Sequence, residues 1–334
     1  MKKTLRKFIL FYISLALSLA PVVADAATDK KHRQVSKQSK TSSKYKAVKY
    51  KASGSRVKTR LPARKAVAAV DHYDGTTPLK LASAKALVIN QLTGEVLFAK
   101  NTNMPTPIAS VTKLMTAMVM LDAHLPMDEL LYISDEDVDY LKHTTSRLSV
   151  GTMLTRGELL QLALMASENR AASALGRHYP GGANAFVKAM NHKAKSLGMH
   201  STRFVDATGL DSNNISTAED LVKMVDAAYH YPEIRQVSTL PSQEITLYGR
   251  QNPLNFVNTN ALVRGGNWDI GLSKTGFINE AGRCLVMQAQ ISGQPVIIVL
   301  LDSAGKLTRI GDANRIRKWV ENNDAGSLGT FVSG

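Results

Sequence analysis

Cysteine is almost absent from this 334-residue chain, which contains only Cys284. A single thiol excludes an intrachain disulfide, so the roughly 265 residues of the globular part must be held together by an ordinary apolar core. That length is sufficient for one large domain or for two lobes. No apolar run after residue 23 is long enough to span a membrane as a helix.

The first 26 residues have the features of an export signal. Basic residues precede an apolar stretch at 8–23, and Ala24-Asp25-Ala26 follows as an A-x-A cleavage pattern. An uncleaved membrane anchor is the alternative, but Ser14 and Pro21 interrupt the apolar stretch. The sequence therefore predicts cleavage before Ala27 and export of the mature chain.

Acidic residues are nearly missing from residues 29–65, where 14 Lys or Arg accompany the single Asp29. This segment contributes +13 to the total net charge of +15, whereas residues 66–334 sum to −1. Because the segment is also poor in apolar residues, we predict a basic disordered leash at 27–70. The leash is either a soluble spacer or a contact with an anionic membrane, where each clustered lysine contributes about 1 kcal/mol. Nucleic acid is not an expected partner of an exported chain.

Strand patterns occur at both ends of the remaining chain. A hairpin pattern begins at Ala84 with Thr93-Gly94 in its turn, and strands return after Ile270 as "IGLSKTGF", "RCLVMQAQI" and "PVIIVLLDS". Strands that enclose a helical middle predict an α+β domain, with a sheet assembled from distant parts of the chain. The predicted boundaries are a domain at 71–323, a sheet lobe at 71–105 and 245–323, a helical lobe at about 106–244 and a flexible tail at 324–334.

Helix signals fill the middle of the chain and its end. Capping boxes are predicted from Thr155 to Glu158 and from Ser216 to Glu219, and "GANAFVKAMNHKAKSLGM" repeats apolar residues at helical spacing. The segment "TRIGDANRIRKWVENN" predicts an amphipathic helix that covers the sheet rather than anchors in a membrane. Its apolar face consists of Ile310, Ala313, Ile316, Trp319 and Val320.

Ser110 and Lys113 lie three positions apart at the start of an apolar run. Residues at this spacing share one face of a helix, so the lysine can reach the serine hydroxyl if the helix begins near Ala109. A serine hydroxyl needs a base to become a nucleophile, and a lysine can serve only if burial or a nearby cation lowers its pKa. The apolar run after Lys113 predicts such burial, but this pattern alone is more often a helix cap with a solvated lysine.

Two further motifs favour a catalytic interpretation. Ser167-Glu168-Asn169 follows the helix pattern "GELLQLALMA", where a polar trio would otherwise only end the helix. Lys274-Thr275-Gly276 falls on a strand flanked by apolar residues, and its glycine leaves room for another backbone or a ligand to lie against the strand.

The order S-x-x-K, S-x-N and K-T-G is the motif set of penicillin-binding proteins and serine β-lactamases. The chain resembles the small D-alanyl-D-alanine peptidases of bacteria, most closely the endopeptidases of the penicillin-binding protein seven type. The likeness extends over most of 84–322 and includes "PIASVTKLMTAMVMLDA", "LALMASENRAASAL", "HYPGG", "FVDATGL", "NTNALV" and "SKTGF". It implies a DD-peptidase-like fold, with a five-stranded antiparallel sheet covered by helices beside an all-helical lobe.

The resemblance also implies a role for each motif residue, without a metal or a cofactor. Ser110 would be acylated by a D-alanyl carbonyl, with Lys113 as its proton acceptor. Ser167 would pass a proton to the leaving amine and Asn169 would hold the substrate amide, while Glu168 is given no role. Lys274 would steady the Ser167 hydroxyl, and Thr275 would bind a substrate carboxylate or carbonyl. The strand edge after Gly276 would bind the peptide, and the backbone N–H groups of Ser110 and Phe277 would form the oxyanion hole.

The expected substrates are the stem peptides of peptidoglycan, with β-lactams as covalent inhibitors. A carboxypeptidase is the nearest alternative, but only 58 residues follow Gly276, which suffices for two strands and a helix rather than an extra domain and an anchor. A non-catalytic module that binds penicillin or peptidoglycan is a second alternative, although it would have no reason to keep all six polar motif residues.

Three other enzyme classes fit the sequence less well. A class A β-lactamase would need a glutamate in an E-x-x-L-N loop, and "KSLGMHSTRFVDATGL" has none there. A metal-dependent peptidase would need converging histidines, whereas the eight histidines are scattered without an H-E-x-x-H or H-x-H motif. A cysteine peptidase would have to use Cys284, which lies inside a predicted strand as a buried thiol.

Overall fold

The computed structural model describes residues 79–247 and 252–329, with side chains described up to residue 323. These residues all belong to one compact unit, Ala68–Gly334. The predicted export signal at 1–26 and leash at 27–70, with its membrane contact, lie outside the described residues. Among the helices described, none has the length and the apolar content needed to cross a membrane.

Five strands form one fully antiparallel sheet in the order β2-β1-β11-β10-β9. The strands of the described chain, in sequence order, are β1 (Lys85–Asn90), β2 (Val96–Lys100), β3 (Thr106–Pro107), β4 (Leu130–Tyr132), β5 (Met153–Thr155), β6 (Ile215–Ser216), β7 (Ser242–Ile245), β8 (Leu254–Val257), β9 (Asp269–Ile278), β10 (Gly282–Ile291) and β11 (Gln294–Ser303). The short strands β3–β8 form three two-stranded ribbons, β3-β6, β4-β5 and β7-β8. The predicted five-stranded antiparallel sheet is confirmed, and β2 and β9 are its two edge strands.

Turn residues explain the two hairpins of this sheet. Gly94 has a φ of +72° in the turn between β1 and β2. Ser292 and Gly293, with φ values of +51° and +76°, make the tight turn between β10 and β11. Both turns therefore use the left-handed backbone that a short hairpin requires.

Helices cover both faces of the sheet. They are α1 (Lys113–Asp122), α2 (Arg156–Met165), α3 (Asn169–Arg177), α4 (Gly182–Ser196), α5 (Ala218–Tyr229), α6 (Pro232–Ser238), α7 (Ala261–Gly265) and α8 (Thr308–Gly329). On one face, Ala313, Ile316 and Val320 of α8 pack against Leu285 and Met287, as the sequence predicted. On the other, Val286 of β10 belongs to the larger core that the helical lobe shares. The central strands are buried on both faces, which explains their continuous apolar sequences.

One predicted helix start is confirmed and one is wrong. Thr155 accepts a hydrogen bond from the backbone N–H of Glu158, and the Glu158 carboxylate accepts from the backbone of Thr155. The second cap is one residue later than predicted, because Thr217 rather than Ser216 accepts from the backbone of Asp220. Ser216 is held in β6 by its pairing with Thr106. At the other end of the chain, α8 continues to Gly329, six residues into the segment predicted as a tail.

Candidate active site

Ser110 lies in a tight 3-10 turn that leads directly into α1. The turn spans Ala109–Thr112, and Lys113 is the first residue of the helix. Ala109 has a φ of +47°, a backbone conformation that is uncommon for a residue with a side chain and occurs in tight turns and at functional sites. The Lys113 ammonium nitrogen lies 2.8 Å from the Ser110 Oγ, as the three-residue spacing predicted.

Lys113 is fully buried and has three oxygen neighbours. Besides the Ser110 hydroxyl, its Nζ donates to the Asn169 Oδ1 and to the Thr208 carbonyl, each at 2.7 Å. Burial lowers the pKa of Lys113 to about 7, although the Asp206 and Glu168 carboxylates act in the opposite direction. About half of the molecules therefore carry a neutral amine at neutral pH.

The three oxygen neighbours suit a neutral Lys113. A neutral amine has two N–H groups and one lone pair, and the oxygens of Asn169 and Thr208 can only accept hydrogen bonds. Those two oxygens use both N–H groups, so the lone pair is left facing the Ser110 hydroxyl. The geometry therefore allows Lys113 to receive the proton of Ser110.

Ser167 lies at the junction of α2 and α3, on the opposite wall from β9. Its φ of +60° places a non-glycine residue in the left-handed region beside the cleft. Its Oγ accepts a hydrogen bond from Lys274 Nζ at 3.0 Å, and the same ammonium donates to the Thr275 carbonyl. Burial, together with the nearby cations of Lys113 and Arg309, holds the pKa of Lys274 well below its ordinary value.

Gly276 allows β9 to lie against the nucleophile's turn. A Cβ built on this glycine would lie 2.9 Å from the Ile108 carbonyl oxygen and 3.0 Å from the Ser110 backbone nitrogen. The space predicted beside Gly276 is therefore filled by the backbone of this turn. Phe277, the next residue on the edge strand, is half exposed, and the Arg283 guanidinium lies over its ring.

Several residues that complete the cleft could not be predicted from the sequence. The Thr208 carbonyl belongs to the segment "FVDATGL", which was singled out only as part of the family likeness. The Thr275 hydroxyl donates to the Thr259 hydroxyl at 2.7 Å, and Arg309 of α8 donates to the Gly276 carbonyl at 3.3 Å. Thr144 accepts a hydrogen bond from the Asn169 side chain. Of these, only Thr208 and Thr259 fall in segments that carried the likeness.

Asp206 organises the loop that carries the Thr208 carbonyl. One of its carboxylate oxygens accepts from the backbone N–H groups of Thr208 and Gly209 and from the Thr208 hydroxyl. The other accepts from the backbone of Asp211 and the side chain of Asn214. Gly209 has a φ of +82°, and a Cβ there would lie only 1.9 Å from the Ala109 carbonyl oxygen. The loop therefore packs directly on the turn that holds Ser110.

Two ionisable side chains near the cleft, Glu168 and Cys284, are buried in the protein. Glu168 is buried and accepts a hydrogen bond from the Ser146 hydroxyl at 2.6 Å. Cys284 is buried behind the edge strand, and burial raises the pKa of its thiol to about 11. A thiol that remains protonated in the core is a poor nucleophile, which argues against a cysteine peptidase.

The chain is similar to known proteins in both sequence and fold. A profile of the D-alanyl-D-alanine carboxypeptidase family matches residues 72–305. The D-alanyl-D-alanine endopeptidase of Pseudomonas aeruginosa is 50% identical, covering 72% of this chain and 78% of that protein. The D-alanyl-D-alanine carboxypeptidase of Streptomyces sp. is 31% identical, covering 72% of this chain and 87% of that protein. The solved structure of the Streptomyces K15 DD-transpeptidase matches with a TM-score of 0.68 and 29% identity, covering 73% of this chain and 98% of that one.

Proposed function

The chain belongs to the D-alanyl-D-alanine carboxypeptidase family of peptidases, and we propose that the residues of its cleft cleave a D-alanyl peptide bond. It is a serine hydrolase that acts on D-alanyl peptides. We propose that it is a D,D-endopeptidase that cleaves the D-alanyl cross-link between two peptidoglycan stem peptides. The higher identity to an endopeptidase, 50% against 31% for a carboxypeptidase, supports this choice.

The observation that carries the proposal is the contact between Ser110 and Lys113. A fully buried amine with a pKa of about 7 lies 2.8 Å from a serine hydroxyl, and both hydrogens of its neutral form are donated to the oxygens of Asn169 and Thr208. This arrangement supplies a nucleophile and its base at neutral pH, whereas an ordinary lysine would hold its proton.

In the acylation step, the Ser110 Oγ forms a bond to the D-alanyl carbonyl carbon while its proton moves to Lys113. The carbonyl oxygen becomes an oxyanion, which the backbone N–H groups of Ser110 and Phe277 stabilise. Removal of one such donor typically slows a reaction about 100- to 1000-fold. The carbon–nitrogen bond then breaks, and the leaving amine receives a proton through Ser167. Lys274, 3.0 Å from that hydroxyl, holds it in position.

The substrate peptide lies along the edge of β9 as an added strand. Asn169 binds the amide of the acyl-donor peptide, and Thr275 binds the carboxylate or carbonyl on the leaving side. Water then hydrolyses the ester on Ser110 and restores the free enzyme. Penicillins acylate the same serine, because their β-lactam carbonyl occupies the position of the D-alanyl carbonyl.

A carboxypeptidase is the second candidate, because the family profile and a 31% identical relative carry that name. The two activities share every residue proposed above and differ only in the leaving amine, which is a second stem peptide in one case and free D-alanine in the other.

A digest of purified muropeptides tests the proposal. Cross-linked dimers and pentapeptide monomers are incubated together with the mature protein or with Ser110→Ala, and the products are separated by chromatography and mass. We expect dimers to become monomers with the wild type only. Loss of one alanine from pentapeptides alone would make the enzyme a carboxypeptidase. Penicillin labelling without cleavage of either substrate would instead point to a non-catalytic module.

We also propose that the enzyme works in the periplasm after removal of residues 1–26, and that the basic leash contacts an anionic membrane. The charge of +13 over residues 29–65 supports the contact. Deletion of this segment should abolish salt-dependent binding to vesicles that contain anionic lipid. Unchanged binding would show that the leash is only a spacer.

A further inference from the structure

Asn169 contacts Lys113 through one end of its amide and Thr144 through the other. Its Oδ1 accepts from Lys113 Nζ at 2.7 Å, and its Nδ2 donates to the Thr144 hydroxyl oxygen at 3.0 Å. An amide flipped by half a turn would place the two N–H donors toward Lys113 instead. The orientation of this amide therefore decides whether Lys113 meets an acceptor or a donor.

Asp139 determines the direction of these hydrogen bonds. The Thr144 hydroxyl lies 2.6 Å from the Asp139 Oδ2, and an ionised carboxylate can only accept. The single hydroxyl hydrogen of Thr144 must therefore point to Asp139, which leaves the Thr144 oxygen free to accept from Asn169. Partial burial acts to raise the pKa of Asp139, but hydrogen bonds from Thr144, Lys142 and Leu141 outweigh it and hold that pKa below its ordinary value.

The loop that carries Asp139 and Thr144 is fixed at both walls of the cleft. Asp139 accepts from the backbone N–H groups of Leu141, Lys142 and Thr144, and His143 has a φ of +53° within this turn. The Lys142 ammonium forms an ion pair with Glu280, in the turn between β9 and β10. The loop is thus held to the sheet lobe as well as to α3.

We propose that Asp139 and Thr144 are positioning residues for acylation, because they orient the Asn169 amide so that the lone pair of Lys113 faces Ser110. The chain of hydrogen bonds runs from the Asp139 carboxylate through Thr144 and Asn169 to Lys113, and each member fixes the direction of the next. The inference rests on the proposed function, in which Lys113 is the base for Ser110.

Loss of the Thr144 hydroxyl should change both the acylation rate and its pH dependence. A flipped Asn169 would donate to Lys113, which competes with Ser110 for the lone pair and also disfavours the ammonium form. Loss of the hydrogen bond from Asn169 to Thr144 should lower the acylation rate by about 5- to 10-fold. The midpoint of the pH profile should also fall below that of the wild type. The other charges near Lys113, which are Asp206, Glu168 and Lys274, are unchanged by this substitution.

The test measures the second-order rate constant for acylation by a fluorescent penicillin between about pH 5 and pH 9. Thr144→Val and Asp139→Asn should be slower, with a lowered midpoint, whereas Thr144→Ser should behave as the wild type because it keeps the hydroxyl. Lys142→Gln is the matched control, since it loosens the same loop without touching the chain of hydrogen bonds, and its midpoint should not move. Thr144 is exposed, so its substitution leaves the apolar core intact, which thermal unfolding checks.

Two results would overturn the inference. One is a Thr144→Val rate within about twofold of the wild type at every pH, a change too small for a lost hydrogen bond. The other is an equal slowing of Thr144→Val and Lys142→Gln with no shift of either midpoint, which would show that the loop acts only as a mechanical support. Absence of acylation in the wild type would refute the proposed function itself, so the two failures are distinguishable.

Discussion

The pH dependence of acylation follows directly from the burial of Lys113. An exposed lysine with a pKa of about 10.4 is neutral in only about one molecule in 2500 at pH 7. With its pKa lowered to about 7, Lys113 is neutral in about half of the molecules. The free base is the reactive form, so acylation should speed up as the pH rises through 7 and then reach a plateau.

The assay is the rate constant for labelling by a fluorescent penicillin, measured at constant ionic strength. Below about pH 6 the rate constant should fall about tenfold for each pH unit, because each unit removes nine-tenths of the remaining neutral amine. Lys113→Ala should lower acylation by at least about 100-fold at pH 7, in line with typical general-base contributions. It should also remove the inflection near pH 7.

Two outcomes would exclude Lys113 as the titrating base. A wild-type profile that keeps rising to pH 10 would mean that Lys113 has an ordinary pKa and that its burial does not govern the reaction. A Lys113→Ala variant with the same inflection near pH 7 would assign that titration to another group.

Three further predictions concern residues around the nucleophile. Gly276→Ala places a Cβ 3.0 Å from the Ser110 backbone nitrogen, so β9 must move away from the turn that holds Ser110. Penicillin acylation should fall by at least about 100-fold while the circular dichroism spectrum stays native, and a rate near that of the wild type would contradict the close approach. Gly209→Ala meets the Ala109 carbonyl in a left-handed turn and should lower the free energy of unfolding by about 2–4 kcal/mol, measured in denaturant. Asp206→Asn removes a carboxylate that raises the pKa of Lys113, so the acylation midpoint should move to lower pH, and an upward shift would be inconsistent with that charge effect.

The residues predictable from the sequence are those whose partners are close in the chain or belong to a recognisable motif. Ser110 and Lys113 are three residues apart, and their contact follows from the geometry of one helical turn. The strands around Lys274 were predictable because their apolar runs and turn residues are local signals.

The remaining contacts depend on distant segments. Thr208 is 95 residues from Lys113 and contributes only a backbone carbonyl, so no side-chain type at that position marks its role. Thr144 and Arg309 are ordinary surface residue types in the sequence, and their importance arises from where the loop and α8 are placed. The misplaced cap at Ser216 has a local cause, since Ser216 and Thr217 both precede an acidic residue by three positions. The pairing of β6 with β3 decides between them.

Mass spectrometry of a trapped adduct shows which residue forms the acyl-enzyme. The mature protein is incubated with a penicillin, quenched and digested, and the peptide that contains Ser110 is sequenced. We expect one adduct per chain, located on Ser110 and absent from Ser110→Ala. An adduct on any other residue, or unchanged labelling of Ser110→Ala, would contradict this expectation.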